Sequence, residues 1–297
     1  MSEMTIFSAP KPFSDPHINI IQRNAIQSWV GLGEGVEVLL MGDEEGMAEA
    51  AAEYGARHLP EVACNPKGVP LINAMFRLAE EASDSPLFTF VNADILLLPE
   101  IVGIAQGVAK QLDAFALLGQ RWNLDVTELL DFGEGWPERL KGEVLRRGKM
   151  HPPGGSDYFV YPRGIWKATP DLVVGRAGWD NWMIYYAANQ PWPAIDATKD
   201  ITIVHQNHGY AHLPDSQPHY LHEETFVNME LGGGWGNMWM LLDTNKELIK
   251  GRIRKPRPRL IRFMRELEHF IYPGEKQGPR WALTRIVRQT RRKMIGE

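Results

Sequence analysis

Leu87-Phe88-Thr89-Phe90-Val91-Asn92-Ala93-Asp94-Ile95-Leu96-Leu97-Leu98-Pro99 is the stretch on which the fold turns. Apolar and β-branched residues run straight into Asn92-Ala93-Asp94, and a second apolar run follows. A short apolar run bounded by turn residues reads as a buried strand. In an open α/β sheet, ligands bind beyond the carboxyl ends of the strands, where Asp94 would stand. A carboxylate there can hold a hard divalent cation that also bridges substrate phosphates. The same Asn and Asp would also suit a plain turn after a strand.

The flanking sequence alternates. Strands are expected at 4–9, 36–41 and 56–59, each stopped by Pro or Gly or by a following helical segment. Helices are expected at 19–30, with Ile21, Ala25, Ile26 and Trp29 in register, at 47–54, and at 71–81 through Leu71, Met75, Leu78 and Ala79. A helix at 99–112 and a strand at 115–119 continue the order downstream. Strand and helix in alternation predict an α/β fold.

Size and composition bound what such a sheet belongs to. The 297 residues suit one large domain or a domain and a half, and 44% hydrophobic with 23% charged residues excludes wholesale disorder. The net charge of −5 hides a split. Residues 250–297 carry 15 Lys and Arg against 4 Asp and Glu, leaving 17 basic and 33 acidic residues in 1–249. Cys64 is the single cysteine, so no internal disulfide can form, which fits a reducing compartment. No apolar run reaches the length of a membrane span, and MSEMTIFSAPKPF lacks the pattern of a secretory signal. A cytoplasmic protein is expected.

Residues 121–240 differ in character, with eight of the ten tryptophans between Trp122 and Trp239. Rings of this kind either stack on sugar faces or fill a core. After residue 250, GRIRKPRPR leads into Leu260, Phe263, Met264, Leu267 and Ile271, a helical stripe with Arg259, Arg262 and Arg265 off it. A Pro/Gly break at 273–279 precedes a second basic helix at 280–294. The expected division is a domain over 1–248 and a basic amphipathic helical tail over 249–297.

Two further segments carry candidate chemistry. In TIVHQNHGYAH (202–212), an apolar strand delivers His205, His208 and His212 into a loop. There is no H-E-x-x-H pattern and no acid between the histidines, so a closed zinc site of all three is not expected. One of His205 or His208 could complete a metal site with Asp94; a structural role for each ring stands beside it. In GRAGWDNWMIYYA (175–187), Asp180 lies near a helix N-terminus between Trp179 and Trp182. It could cap the helix, or act as a general base between two rings that hold a polar acceptor. Upstream, HPPGGSDYFVYPRGIW (151–166) has glycines that let a ligand approach the backbone. Gly31, Gly33 and Gly35 precede a strand and so make no dinucleotide fingerprint; no Walker loop or G-x-S-x-G elbow is present.

Strand–Asn-Ala-Asp, then Gly-Gly-Ser-Asp-Tyr-Phe with Gly-Trp-Asp-Asn-Trp, then a strand ending in His-Gln-Asn-His, resembles in order the GT-A fold glycosyltransferases of the bacterial family-2 kind, over roughly residues 4–240. The resemblance implies a Rossmann-like mixed sheet flanked by helices and transfer of a sugar from a nucleotide-sugar donor to a hydroxyl of a saccharide or lipid-linked saccharide, as in polysaccharide biosynthesis. It implies Asp180 as base with inversion, donor binding by Pro10, Asp43, Asn73, Asn92 and Asp94, and acceptor binding by Trp179, Trp182, Gly155 and Asp157. It further implies a divalent metal, Mn²⁺ or Mg²⁺, at Asp94 with His205 or His208. The usual motif is Asp-x-Asp; Asn92 in the first place brings no charge. A catalytically silent relative that binds carbohydrate or nucleotide is the alternative. A nucleotidyltransferase would need a basic Gly-rich loop near the first strand, where only Lys11 stands. The acidic body argues against nucleic acid as a partner, whereas the basic tail would suit the anionic inner face of a membrane, making the protein a peripheral one, unless the tail packs on the body's own acidic surface.

Overall fold

A computed structural model describes residues 2–209 and 219–296. The chain runs β1 (Met4–Ser8), α1 (Pro16–Val30), β2 (Val36–Met41), α2 (Met47–Tyr54), β3 (Arg57–Leu59), α3 (Ile72–Ala82), β4 (Leu87–Val91), β5 (Ile95–Leu97) and α4 (Glu100–Ala109). It continues through β6 (Ala116–Leu118), β7 (Trp122–Leu124), α5 (Trp136–Arg147), β8 (Lys149–Met150), β9 (Tyr158–Pro162) and α6 (Trp179–Ala188). After β10 (Ala194–Asp196) and β11 (Ile203–Gln206) come α7 (Glu223–Leu231), β12 (Lys246–Ile249), β13 (Arg252–Arg254), α8 (Leu260–Ile271) and α9 (Gly278–Ile295).

Two sheets result. The larger has nine strands in the order β13-β12-β10-β6-β9-β4-β1-β2-β3, and the smaller has four in the order β5-β11-β7-β8. β1 pairs in parallel with β2 and β4, while β9 runs antiparallel to β4 and β6, so the large sheet is mixed. Strand side chains alternate between faces. Ile6, Leu40, Leu87 and Val91 therefore join Ala25, Ile26 and Trp29 of α1 and Ile101 of α4 in one core layer. Phe7, Leu39, Phe88 and Phe90 join Met75 and Phe76 of α3 and Met183 and Ile184 of α6 in the other. The expected α/β fold is thus observed, with helices on both faces.

The expected boundaries shift where caps and turns decide them. α1 starts at Pro16, three residues before the periodic stripe, because Asp15 accepts from the backbone N–H groups of His17 and Ile18, each at 2.9 Å. The helix expected to 112 stops at Ala109.

The expected division at 248/249 needs correction. It falls inside β12, which pairs antiparallel with β13 across Lys250 and Gly251, both at positive φ. Two successive left-handed residues are what a tight hairpin requires. The tail therefore begins by extending the main sheet and is no separate unit.

α8 docks by its arginine face, with the apolar stripe at the edge of the contact: Ile271 is buried, Met264 and Leu267 are half-buried, and only the Leu260 and Phe263 end of the stripe is exposed. Its buried residues are Arg262, Arg265, Glu268 and Ile271, whereas Leu260, Phe263 and Phe270 are 63%, 60% and 80% exposed. Arg265 bonds both oxygens of Asp243 (3.0 and 2.9 Å) and reaches Glu268 (3.0 Å). Glu268 in turn accepts from Arg288 (2.7 Å) and Arg291 (3.0 Å) of α9. A buried carboxylate must be paired, and these two acids draw the arginine face inward. Among the described residues no helix is long and apolar enough to cross a membrane.

Candidate active site

Asn92, Ala93 and Asp94 form the step by which the chain leaves one sheet and enters the other. β4 ends at Val91, opposite Tyr158 of β9, and the Asn92 N–H donates to the Asp157 carbonyl at 2.9 Å. Ile95 N–H returns to the Asn92 carbonyl (3.1 Å), closing a turn, and β5 then pairs with β11. In that pairing His205 lies opposite Ile95, and the Gln206 N–H donates to the Asp94 carbonyl at 3.1 Å. Strand register thus carries a histidine of β11 to the carboxylate after β4.

His208 Nε2 lies 2.9 Å and His205 Nε2 3.7 Å from Asp94 Oδ2, and one ligand atom from each of the three residues falls within 4.8 Å of the others. His208 Nδ1 is 2.9 Å from the Gly209 carbonyl, and its Nε2 hydrogen-bonds Asp94 Oδ2, so the ring is held with Nε2 toward the carboxylate; a cation between the two would take the place of that bond. Asp94 Oδ1 and His205 Nδ1 are buried with no hydrogen-bond partner among the described residues, an arrangement that calls for an explanation. Two imidazoles and a carboxylate suit a divalent cation of the Mn²⁺ type. Burial disfavours the Asp94 charge, but His205, His208 and Lys11 outweigh it and hold the carboxyl well below its usual range. Burial also lowers His205, against Asp94, which favours the neutral ring. His212 lies outside the described residues.

These residues line a cleft of about 760 Å³, the size of a small-molecule site. Asp180 shares the wall. It is the second residue of α6, whose cap is Gly178 at φ 101°, so Asp180 is not the N-cap that its sequence position allowed. Burial pushes its carboxyl up to about 7, and Asp157 adds to this, against backbone N–H groups that include Ser156 at 3.3 Å. A carboxyl so tuned can take a proton near neutrality. Asp157 accepts from Asn92 Nδ2 (2.9 Å) and Arg121 (2.5 Å).

Of the other expected donor residues, Pro10 lines the cleft beside Asn92 and Asp94. Asp43 does not: it is exposed, and its neighbour Glu44 faces the cleft in its place. Asn73 is also outside the wall, because its amide donates to Asp171 at 2.6 Å. On the acceptor side, Gly155 and Asp157 are in the wall. The tryptophan clamp is corrected. Trp179 is 4% exposed and packs edge-on to Phe90 at 5.0 Å, and Trp182 is 6% exposed, stacked on Tyr186 at 5.2 Å outside the cleft wall. Both rings belong to the core, with only Trp179 touching the cleft.

Sequence reasoning missed the cations. Lys11, Lys67, Arg121 and Arg176 all line the cleft. Burial pushes the Lys11 ammonium down, with Asp94 opposing. Burial also lowers His151, and Arg121 lowers it further, to about 4. Arg121 stands three residues past β6, at a strand end where a ligand is expected, and that position could have flagged it. Arg176 sits in an irregular loop with no such signal.

No known protein family matches the chain, and no curated protein matches it. Among solved structures, it is similar to the glucosyl-3-phosphoglycerate synthase of M. tuberculosis, at 15% identity over 72% of this chain and 75% of that one, with a TM-score of 0.43. It is also similar to S. aureus TarS 1-349 in complex with UDP-GlcNAc, at 11% identity over 78% of this chain and 65% of that one, with a TM-score of 0.45. A complex of the M. tuberculosis synthase with Mn²⁺, uridine-diphosphate and phosphoglyceric acid matches at 14% identity over 70% and 71%, with a TM-score of 0.42.

Proposed function

We propose that this chain is a glycosyltransferase that moves a sugar from a nucleoside-diphosphate donor to a hydroxyl group of a saccharide acceptor. The observation that carries this is the meeting, in one cleft, of the Asp94, His205 and His208 donor set with a half-buried carboxyl, Asp180, pushed up to about 7. Asp94 with His205 and His208 would hold a divalent cation, which when bound neutralises charge on the departing diphosphate. Lys11, Arg121 and Arg176 add positive charge to the same wall, and the further negative charge a diphosphate gains as it leaves calls for it. Asp180 accepts the proton of the acceptor hydroxyl as it attacks the anomeric carbon from the face opposite the diphosphate, giving inversion. Gly154 and Gly155 line the cleft beside Asp180, and the missing side chain of Gly155 makes room for the Asp180 carboxylate.

Asn92 fits this role without a charge. Its amide fixes Asp157, which pairs with Arg121 and faces Asp180. The missing acid is thus a positioning residue here and does not favour a silent binding protein.

The test is a panel of nucleotide sugars, with and without Mn²⁺, read first as a rise in Tm and then as sugar transfer to saccharide acceptors. A ligand that binds only the native state raises its stability, by about 2.7 kcal/mol at a hundredfold excess over Kd. Stabilisation by one donor that requires Mn²⁺, with turnover lost in Asp180→Asn, is expected. An Asp180→Asn chain with undiminished turnover removes Asp180 as base, and no stabilisation by any nucleotide sugar removes the proposal.

A further inference from the structure

We propose that the hairpin of α8 and α9 is an interfacial docking surface for an anionic lipid bilayer. The inference rests on the hairpin and stands whether or not the cleft transfers sugar.

The hairpin packs largely through charge, with Ile271 and Val287 buried beside the ion pairs, and leaves several large apolar side chains in solvent. Arg265, Glu268, Arg288 and Arg291 form the buried network that holds α8 to α9 and to Asp243. Leu260, Phe263 and Phe270 are left outward on α8. On α9 Leu283, Ile286 and Met294, 49%, 59% and 47% exposed, fall on one flank at helical spacing. Six large apolar side chains left in solvent on one helical pair mark a surface that something apolar covers.

Charge identifies what covers it. The run into α8 exposes Arg252, Arg254, Lys255, Arg257 and Arg259, and α9 exposes Arg285, Arg292 and Lys293. The acids exposed along the described part of the hairpin are Glu266 and Glu275. Apolar side chains bracketed by cations are the composition of a helix that lies in the headgroup layer of an anionic leaflet. A second copy is a poor occupant, because a two-fold contact would set this basic patch against itself.

The position of the hairpin gives the docking a use. A cavity of about 350 Å³ lies between Arg259, Ile261 and Arg262 on the hairpin side and Gln120, His151 and Pro153 on the other. His151 also lines the large cleft. A head group carried by the docked bilayer would meet this cavity first.

The test is co-sedimentation of the full chain with phosphatidylcholine vesicles, with and without phosphatidylglycerol, beside Phe263→Ser/Phe270→Ser. Both side chains are exposed, so the variant keeps its fold, checked by circular dichroism and Tm. The full chain is expected to partition onto the phosphatidylglycerol vesicles, more weakly at high salt, with about tenfold or greater loss in the variant. No partition, equal partition onto both vesicle types, or a variant that binds like the parent overturns the proposal. So does sedimentation showing a dimer of the parent that the variant abolishes.

Discussion

Gly155 and Asp180 are packed so closely that no side chain fits between them: a Cβ on Gly155 would fall within bonding range of Asp180 Oδ2. The glycine is therefore required by a close approach and not by its backbone angle. Gly155→Ala must displace the carboxylate or the loop that carries Ser156. Misplacing a reacting group by about 1 Å can lower the rate on the order of a hundredfold. Steady-state kinetics should show such a loss in kcat with KM for the donor little changed; a parent-like kcat would separate Asp180 from the chemistry.

As the proposed base, Asp180 would also set the pH dependence. With its carboxyl at about 7, the base form is lost as pH falls below that value, so kcat/KM should drop tenfold per pH unit there and level off above it. Stability should run the other way. The folded state holds a proton that the unfolded chain, near 3.8, has already released, so stability declines as pH rises from about 4 to about 7. Asp180→Asn should thus raise stability at pH 8 by on the order of 2 kcal/mol while abolishing turnover. Melting curves at pH 5 and pH 8 check the sign.

Restoring the missing acid should harm the protein. Asn92→Asp replaces an amide that donates to Asp157 with a carboxylate 2.9 Å from it. Two carboxylates at that distance cannot both ionise comfortably. We expect a loss of about 1–3 kcal/mol at pH 8, shrinking as pH falls, measured by urea unfolding. A variant with gained stability and gained Mn²⁺ affinity would contradict the assigned role of Asn92.

Removing a ligand from the proposed cation site should be visible in binding directly. Asp94→Ala and His208→Ala are expected to weaken Mn²⁺ binding by at least about tenfold in calorimetry. His58→Ala is the control, since its ring contacts the Gly42 carbonyl at 2.8 Å and lies outside the donor set. Equal Mn²⁺ affinity in all three variants would show that the cluster is not the binding site.

Glu268 holds the C-terminal hairpin together. Burial disfavours its charge, but Arg265, Arg288 and Arg291 outweigh that and keep its carboxyl below the usual range. Its contribution is present above the ordinary glutamate pKa and is lost as pH falls through the depressed one. Glu268→Gln leaves buried arginines short of a partner, which should lower stability by about 3–5 kcal/mol. Limited proteolysis should then cut the hairpin first.

The alternation of strand and helix around residues 87–99 was legible because each element there follows one period, two or 3.6, and ends at a capping or turn residue. The grouping of Asp94 with His205 or His208 was legible as well, since each follows an apolar run, and Asp180 was legible from its place in the first turn of a helix. Lys11 and Arg176 were not, because a cation in a loop has no periodicity to mark it. Trp179 and Trp182 misled for a different reason: a tryptophan beside a carboxylate looks the same in sequence whether its ring faces a ligand or Phe90. On α8 the stripe was legible, and of the two surfaces left open for the basic tail the body's own acids meet one face, Arg262 at Glu247 and Arg265 at Asp243. Which face turns inward was set by Asp243, an acid seventeen residues upstream of Leu260 that only the fold brings near.

The step at Ala93 and Asp94 has an evolutionary corollary. Asp94 and His205 are brought together by the antiparallel register of β5 on β11, in which each residue's side is fixed by a period of two. A single residue inserted between Asp94 and Ile95 would leave both sheets their cores and still turn the carboxylate away from the imidazoles. The chemistry of this cleft is therefore more vulnerable to a one-codon insertion or deletion than to most substitutions around it, and lineages that lose the activity should carry such length changes at the join between the sheets.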